Sequence, residues 1–98
     1  MAFINKQAAL VTLAAASNEI YTAPTDAQIR ALTVHNPTET NIDLVVTVGG
    51  VQILTKTIVA NSTEVLSQLF NQQLKKTEIL TMTGDGANVM LTVVEITE

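Results

Sequence analysis

The chain has no cysteine and no tryptophan, and only two prolines, four glycines and three aromatic residues in 98 positions. Without cysteine, neither a disulfide framework nor a thiolate metal site can form. Small secreted domains are often stapled by disulfides, so the lack of them tilts the expectation towards folding inside a cell. Charge is scarce as well: five basic and nine acidic residues give a net charge of −4. Only Lys75 and Lys76 are adjacent cations, and no aromatic residue interleaves with them. A phosphate backbone calls for clustered positive charge, so nucleic acid is not an expected partner.

Long apolar runs are also missing. Ala8 to Ala16 is broken by Thr12 and is far too short to span a bilayer, so no membrane partner is expected. Ala14-Ala15-Ala16 has the look of a cleavage site, but only Lys6 supplies positive charge ahead of the run. The stretch reads as a first strand over Ala8 to Leu13, not as a signal peptide. Residues 1–6 then form an N-terminal arm, and Phe3 and Ile4 on it are expected to pack on a neighbour.

What is present points to strands. Hydrophobic residues make up 47% of the chain, which excludes disorder. Fifteen threonines must cover much of the surface, and valine, isoleucine and threonine together are the strand formers. The length suits one domain with a modest core.

The organising stretch is Asn41 to Ala60. Ile42, Leu44, Val46 and Val48 recur at every second position, the period of a strand with one buried face. Gly49-Gly50 can take the positive φ values of a tight turn, so the stretch predicts a central hairpin. Its second arm changes phase: Val51 and Ile53 share one face, Leu54 and Ile58 the other. Either the strand bulges near Ile53 or both faces are covered.

Ahead of the hairpin, Glu19 to Thr22 reads as a short strand ended by Ala23-Pro24-Thr25-Asp26. Ile29 to Val34 is another strand, in which Ile29 is out of phase with Leu32 and Val34, so a bulge or a late strand start is expected near Arg30. Asn36-Pro37-Thr38-Glu39 makes the next turn. Residues 61–76 are ambiguous. Val65, Leu66, Leu69, Phe70 and Leu74 fall at helical spacing, Asn61 and Glu64 could form a capping box, and Lys75 and Lys76 would suit a helix C-terminus. The composition instead favours a strand to Leu69 followed by a loop. Under either reading Phe70 is expected in the core.

Thr77 to Thr83 and Ala87 to Ile96 complete the set, separated by the turn Gly84-Asp85-Gly86. The last strand carries Val89, Leu91 and Val93 on one face and Met90, Val94 and Ile96 on the other. A strand apolar on both faces needs two covers, and a sandwich supplies only one. The second is expected to be another subunit. The fold expected is therefore all-β: a single-domain antiparallel β-sandwich, jelly-roll or Ig-like, of about eight strands. The expected interface residues are Phe3, Ile4, Leu54, Ile58, Met90, Val94 and Ile96.

Reaction chemistry is not visible. His35 is the sole histidine, with no HxH or HxxxH partner, and reads as a strand-end residue with a structural hydrogen bond. Asp85 lacks the alternating oxygens of a calcium loop. Ser17, Ser62 and Ser67 lie in no GxSxG context. No catalytic residue, metal or cofactor is expected, and enzyme activity is not.

The order of features resembles small β-sandwich virion proteins of tailed bacteriophages, including head decoration (cement) proteins and tail or neck accessory proteins. The residues that carry the likeness are Ile20-Tyr21-Thr22-Ala23-Pro24, then Leu32 to Thr38, then the apolar strand ending at Gly49-Gly50, then Leu74 to Thr83 followed by Val89 to Glu95. The turn at Lys76-Thr77-Glu78 departs from the pattern by lacking glycine. The resemblance implies a non-enzymatic structural protein of the virion, assembled in the host cytoplasm. It also implies binding to the major capsid protein or other virion subunits, as a homo-oligomer and in first place a trimer. The competing expectation is a receptor- or carbohydrate-binding sandwich module of a phage tail, against which the paucity of aromatic residues argues.

Overall fold

A computed structural model of the protein describes residues 2–97. Among them, nine strands follow in chain order: β1 (Ala2–Thr12), β2 (Asn18–Thr22), β3 (Ala27–His35), β4 (Ile42–Val48), β5 (Val51–Ile58), β6 (Thr63–Val65), β7 (Gln73–Leu74), β8 (Ile79–Thr83) and β9 (Asn88–Thr97). A 3₁₀ turn over Ser67–Leu69 separates β6 from β7.

The chain folds about the Gly49-Gly50 turn. Both glycines have positive φ, 58° and 82°, the backbone of a type I′ turn whose twist matches that of paired strands. Residues equidistant from this turn pair along nearly the whole chain. Ile42 pairs with Ile58, His35 with Thr63, Ala27 with Leu74, Thr22 with Ile79, Thr12 with Asn88, and Ala2 with Thr97. The chain is thus one long antiparallel ribbon, rolled so that β9 also pairs with β3 and β8 with β4.

Rolling the ribbon gives two antiparallel sheets. The first has the order β1-β9-β3-β6, with β7 also on β3, and the second the order β2-β8-β4-β5. β6 and β7 share one position beside β3, so eight strand positions are filled. This is the double Greek-key order of a jelly roll, the first of the two sandwich types expected.

The core lies between the sheets, where Ile29, Leu32, Val34, Leu44, Val46, Ile58, Leu80 and Leu91 are fully buried. Two predicted irregularities are present as bulges. In β3 the register against β9 shifts between Ile29 and Ala31, so Ile29 and Leu32 both face inward although three positions separate them. In the hairpin the register shifts between Val46 and Thr47, with Ile53 the unpaired residue of β5. The phase change in that arm is therefore a bulge, and it turns Leu54 and Ile58 towards the core.

Residues 61–76 are neither the helix nor the single strand expected. β6 pairs with Thr33 to His35 and β7 with Ala27 and Gln28, and between them the chain steps aside opposite the β3 bulge. There the Leu66 amide donates to the Leu32 carbonyl and the Asn71 amide to the Ile29 carbonyl. Leu66 and Leu69 point inward, while Phe70 leaves the turn in extended conformation and is 38% exposed. The expectation that Phe70 belongs to the core is thereby corrected. Residues 2–6, read as an arm, are strand paired with the end of β9. Met1 of that arm lies outside the described residues.

The link from β3 to β4 is fixed by Asn36, which is fully buried. Its Nδ2 donates to the carbonyls of Thr40 and Ile58, and its Oδ1 accepts from the amide and hydroxyl of Thr38. A buried side-chain amide needs such a full set of partners. The Asn-Pro-Thr turn seen in the sequence is therefore built around a polar rivet that ties the loop to β5.

Candidate contact surface

The two outer faces of the sandwich differ in chemistry. On the second sheet, Thr47, Thr55, Thr57, Thr81 and Thr83 stand outward with Asp43, Val45 and Gln52, because each alternates with a core residue in the register. Here the abundant threonine covers a solvated face. On the first sheet, Leu10, Met90, Thr33 and Val65 are aligned in one row across β1, β9, β3 and β6. Leu10 is 65%, Met90 42% and Val65 50% exposed. The next row, Thr12, Asn88, His35 and Thr63, is polar.

In that polar row Thr12 donates to Asn88 Oδ1 at 2.6 Å, and His35 Nδ1 lies 2.8 Å from Thr63 Oγ1. His35 thus makes the structural hydrogen bond expected of it. Asp43 accepts from Thr57 on the outer face of the other sheet, away from His35. Asp85 is exposed at the tip of its turn. Among the described residues no cluster of three or more His, Cys, Asp or Glu could hold a metal ion. None of the helical segments described is long and apolar enough to cross a membrane.

The seven residues expected at an interface separate into three groups. Phe3, Ile4 and Met90 are exposed, at 66%, 45% and 42%, and Ile96 pairs with Phe3 on the same outer face, half-buried. Val94 is also on that face but buried, between Asn5 of β1 and Gln28 of β3 in the register. Ile58 is enclosed in the core and presents no surface to a partner, and Leu54 is half-buried with its side chain packed against that core. The bulge at Ile53 is the physical reason, since it inverts the side-chain phase of the rest of β5. Sequence reasoning passed over Leu10, Val11 and Val65, which the strand register brings to the surface.

A buried polar group was also missed. Glu95 lies on the inward face of β9, 7% exposed, where Tyr21 donates to its Oε2 at 2.5 Å and Lys6 Nζ approaches it at 3.2 Å. The hydrogen bond from Tyr21, aided by the Lys6 charge, holds the Glu95 carboxyl below the usual range against the opposing effect of burial. Burial, with the carboxylate beside it, pushes the Tyr21 hydroxyl up. The three residues join β2 of one sheet to β1 and β9 of the other. The signal in the sequence was parity: Val89, Leu91 and Val93 face inward, so Glu95 must as well, and a buried carboxylate requires donors.

A pH dependence follows. With its folded pKa lowered, Glu95 contributes stability that is full above the ordinary value of about 4.3 and is lost as pH falls through the lower folded value. Near neutral pH, Glu95→Gln is expected to cost about 1–3 kcal/mol, the scale of a disrupted buried hydrogen bond to a charged group. Thermal melts of the two proteins should differ by a constant amount from neutral pH down to about 5 and converge as pH falls below the ordinary carboxylate value of about 4.3.

No protein-family model matches the chain, and no curated protein matches its sequence.

Proposed function

We propose that the protein is a non-enzymatic structural protein of a bacteriophage virion, in first place a head decoration protein that reinforces the particle through symmetric contacts with capsid subunits. The observation that carries this reading is the set of exposed apolar side chains on the outer face of the first sheet: Leu10, Met90 and Val65 in one row, and Phe3 beside Ile96 three rows further along β1 and β9. Large exposed apolar side chains gathered on one face mark interaction surfaces, and weak contacts repeated by symmetry add through multivalency. The order of sequence features that resembles small phage sandwich proteins supports the same role. Three copies about a local axis is the assembly that the resemblance favours. Jelly rolls serve in capsids and in lectins alike, so the fold by itself does not choose between cement and glycan recognition.

Co-sedimentation with purified phage heads, alongside a glycan array, separates these readings. Saturable binding to heads with no glycan signal is expected. Met90→Lys should weaken head binding tenfold or more, the scale of one central contact residue, while circular dichroism stays unchanged. Glycan binding without head binding would overturn the proposal in favour of a receptor-binding module.

A further inference from the structure

We propose that β1 pairs antiparallel with β1 of a second copy of this chain across a two-fold axis, joining the first sheets of the two copies into one continuous sheet. β1 is the outermost strand of its sheet and bonds on one side only, to β9. It is eleven residues long, and every one of them is exposed or half-buried. Long edge strands are ordinarily blunted by brevity, proline or charge. The other edges of the sandwich follow this rule: β2, β6 and β7 have five, three and two residues, and β5 carries Lys56 and the bulge at Ile53. β1 has no proline, and its single charge, Lys6, is drawn to Glu95.

The sequence of β1 is complementary to itself in the register of greatest overlap. The strand has a bulge between Gln7 and Ala9. Before the bulge, odd-numbered residues face outward with Phe3. After it, even-numbered residues face outward with Leu10, because both pair with outward residues of β9. Two copies related by an axis normal to the sheet must set outward residues opposite outward ones. The extra residue at Ala8 makes this possible when Phe3 opposes Thr12, Ile4 opposes Val11, Asn5 opposes Leu10, Lys6 opposes Ala9, and Gln7 opposes Ala8. Ile4 and Val11, 45% and 42% exposed on the inner side, then cover each other, and Phe3 lies diagonal to Leu10 on the outer side. No like charges meet, since Lys6 faces alanine.

The area suffices. Ten paired residues per copy, with Phe3, Ile4, Leu10 and Val11 among them, bury on the order of 600 Å² per copy, above the roughly 500 Å² per copy that a specific interface requires. The ladder adds about ten main-chain hydrogen bonds along its length. This contact does not depend on the virion reading. Combined with a three-fold contact through the outer face it would give six copies, and by itself two.

The lack of cysteine makes the test clean. Ile4→Cys and Val11→Cys are prepared as separate proteins, and each is treated with oxidant or a short bis-maleimide, alone and after mixing. The mixture should give a covalent dimer. Either variant alone should not, because like positions lie about 23 Å apart in this register. A mixture that fails to cross-link, or single variants that cross-link as readily, would overturn the pairing. As a second measurement, Val11→Lys should convert an even-numbered oligomer to half its mass with circular dichroism unchanged. A wild-type protein of one or three copies in solution would overturn the β1 contact and leave the virion proposal standing, whereas loss of head binding would do the reverse.

Discussion

Leu91→Ala is expected to destabilise the domain by about 3–4 kcal/mol, while Met90→Ala beside it costs under about 1 kcal/mol. Leu91 is fully buried at the middle of β9, pairing with Ala9 on one side and Leu32 on the other. Removing its isopropyl group leaves a cavity between two close-packed sheets, and the neighbouring strands cannot collapse into it without breaking their ladders. Met90 points to the opposite face and is 42% exposed. For a domain of this size the Leu91 change should lower Tm by roughly 12–30 °C, and the Met90 change by a few degrees at most. Melts at low protein concentration, followed by circular dichroism, measure both. Equal losses would show that both faces of β9 are core within one copy.

Ile58→Lys should leave the chain largely unfolded, and Ile53→Lys should fold normally. Ile58 is fully buried opposite Ile42, and the ion pair closest to it in the chain, Lys56 with Glu64, lies at the surface. A lysine at position 58 would bury an unpaired ammonium, or distort the strand to free it, at about 3–5 kcal/mol or more. That is comparable with the total stability of a small domain, about 5–15 kcal/mol. Ile53 is the bulged residue, 44% exposed, so its lysine reaches water and should change stability by no more than about 0.5 kcal/mol. The contrast reads out the bulge directly, because without it Ile53 and Ile58 would exchange environments. Urea titration of both variants measures it.

Local chemistry made the central hairpin legible: strict alternation over Ile42 to Val48 and two adjacent glycines have one structural meaning. The two phase breaks each had a second reading beside the bulge, and the pairing register decides for the bulge. The jelly-roll order was less visible, since alternation says which face a residue takes and not which strand lies beside it. The near-symmetry of the pairing about Gly49-Gly50 is a property of the whole chain. Residues 61–76 misled for a physical reason: Leu66, Leu69 and Leu74 have helical spacing, but Leu66 and Leu74 are held to β3 on either side of its bulge, and Leu69 closes the short turn between them on the Leu66 carbonyl. The first half of β1 was hidden by composition, because Asn5 and Lys6 break the apolar pattern and residues 1–6 read as an arm, although residues 2–6 pair with β9. Of the apolar residues on the outer face of the first sheet, Phe3, Met90 and Ile96 were legible from the two-faced last strand and the apolar N-terminus. Leu54 and Ile58 were misassigned because a phase break looks the same whether a strand bulges or is covered on both sides. Leu10 and Val11 lie in a stretch read as a strand over Ala8 to Leu13, whose alanines give no alternation to say which face is covered.

The proposed working surface is β1 with the outer side of its sheet. Sedimentation velocity of the unmodified chain, from micromolar to near-millimolar concentration, tests this most directly. An oligomer with an even number of copies is the expected result. A monomer throughout that range would contradict it, since Phe3, Ile4, Leu10 and Val11 would then remain in water along an unpaired edge.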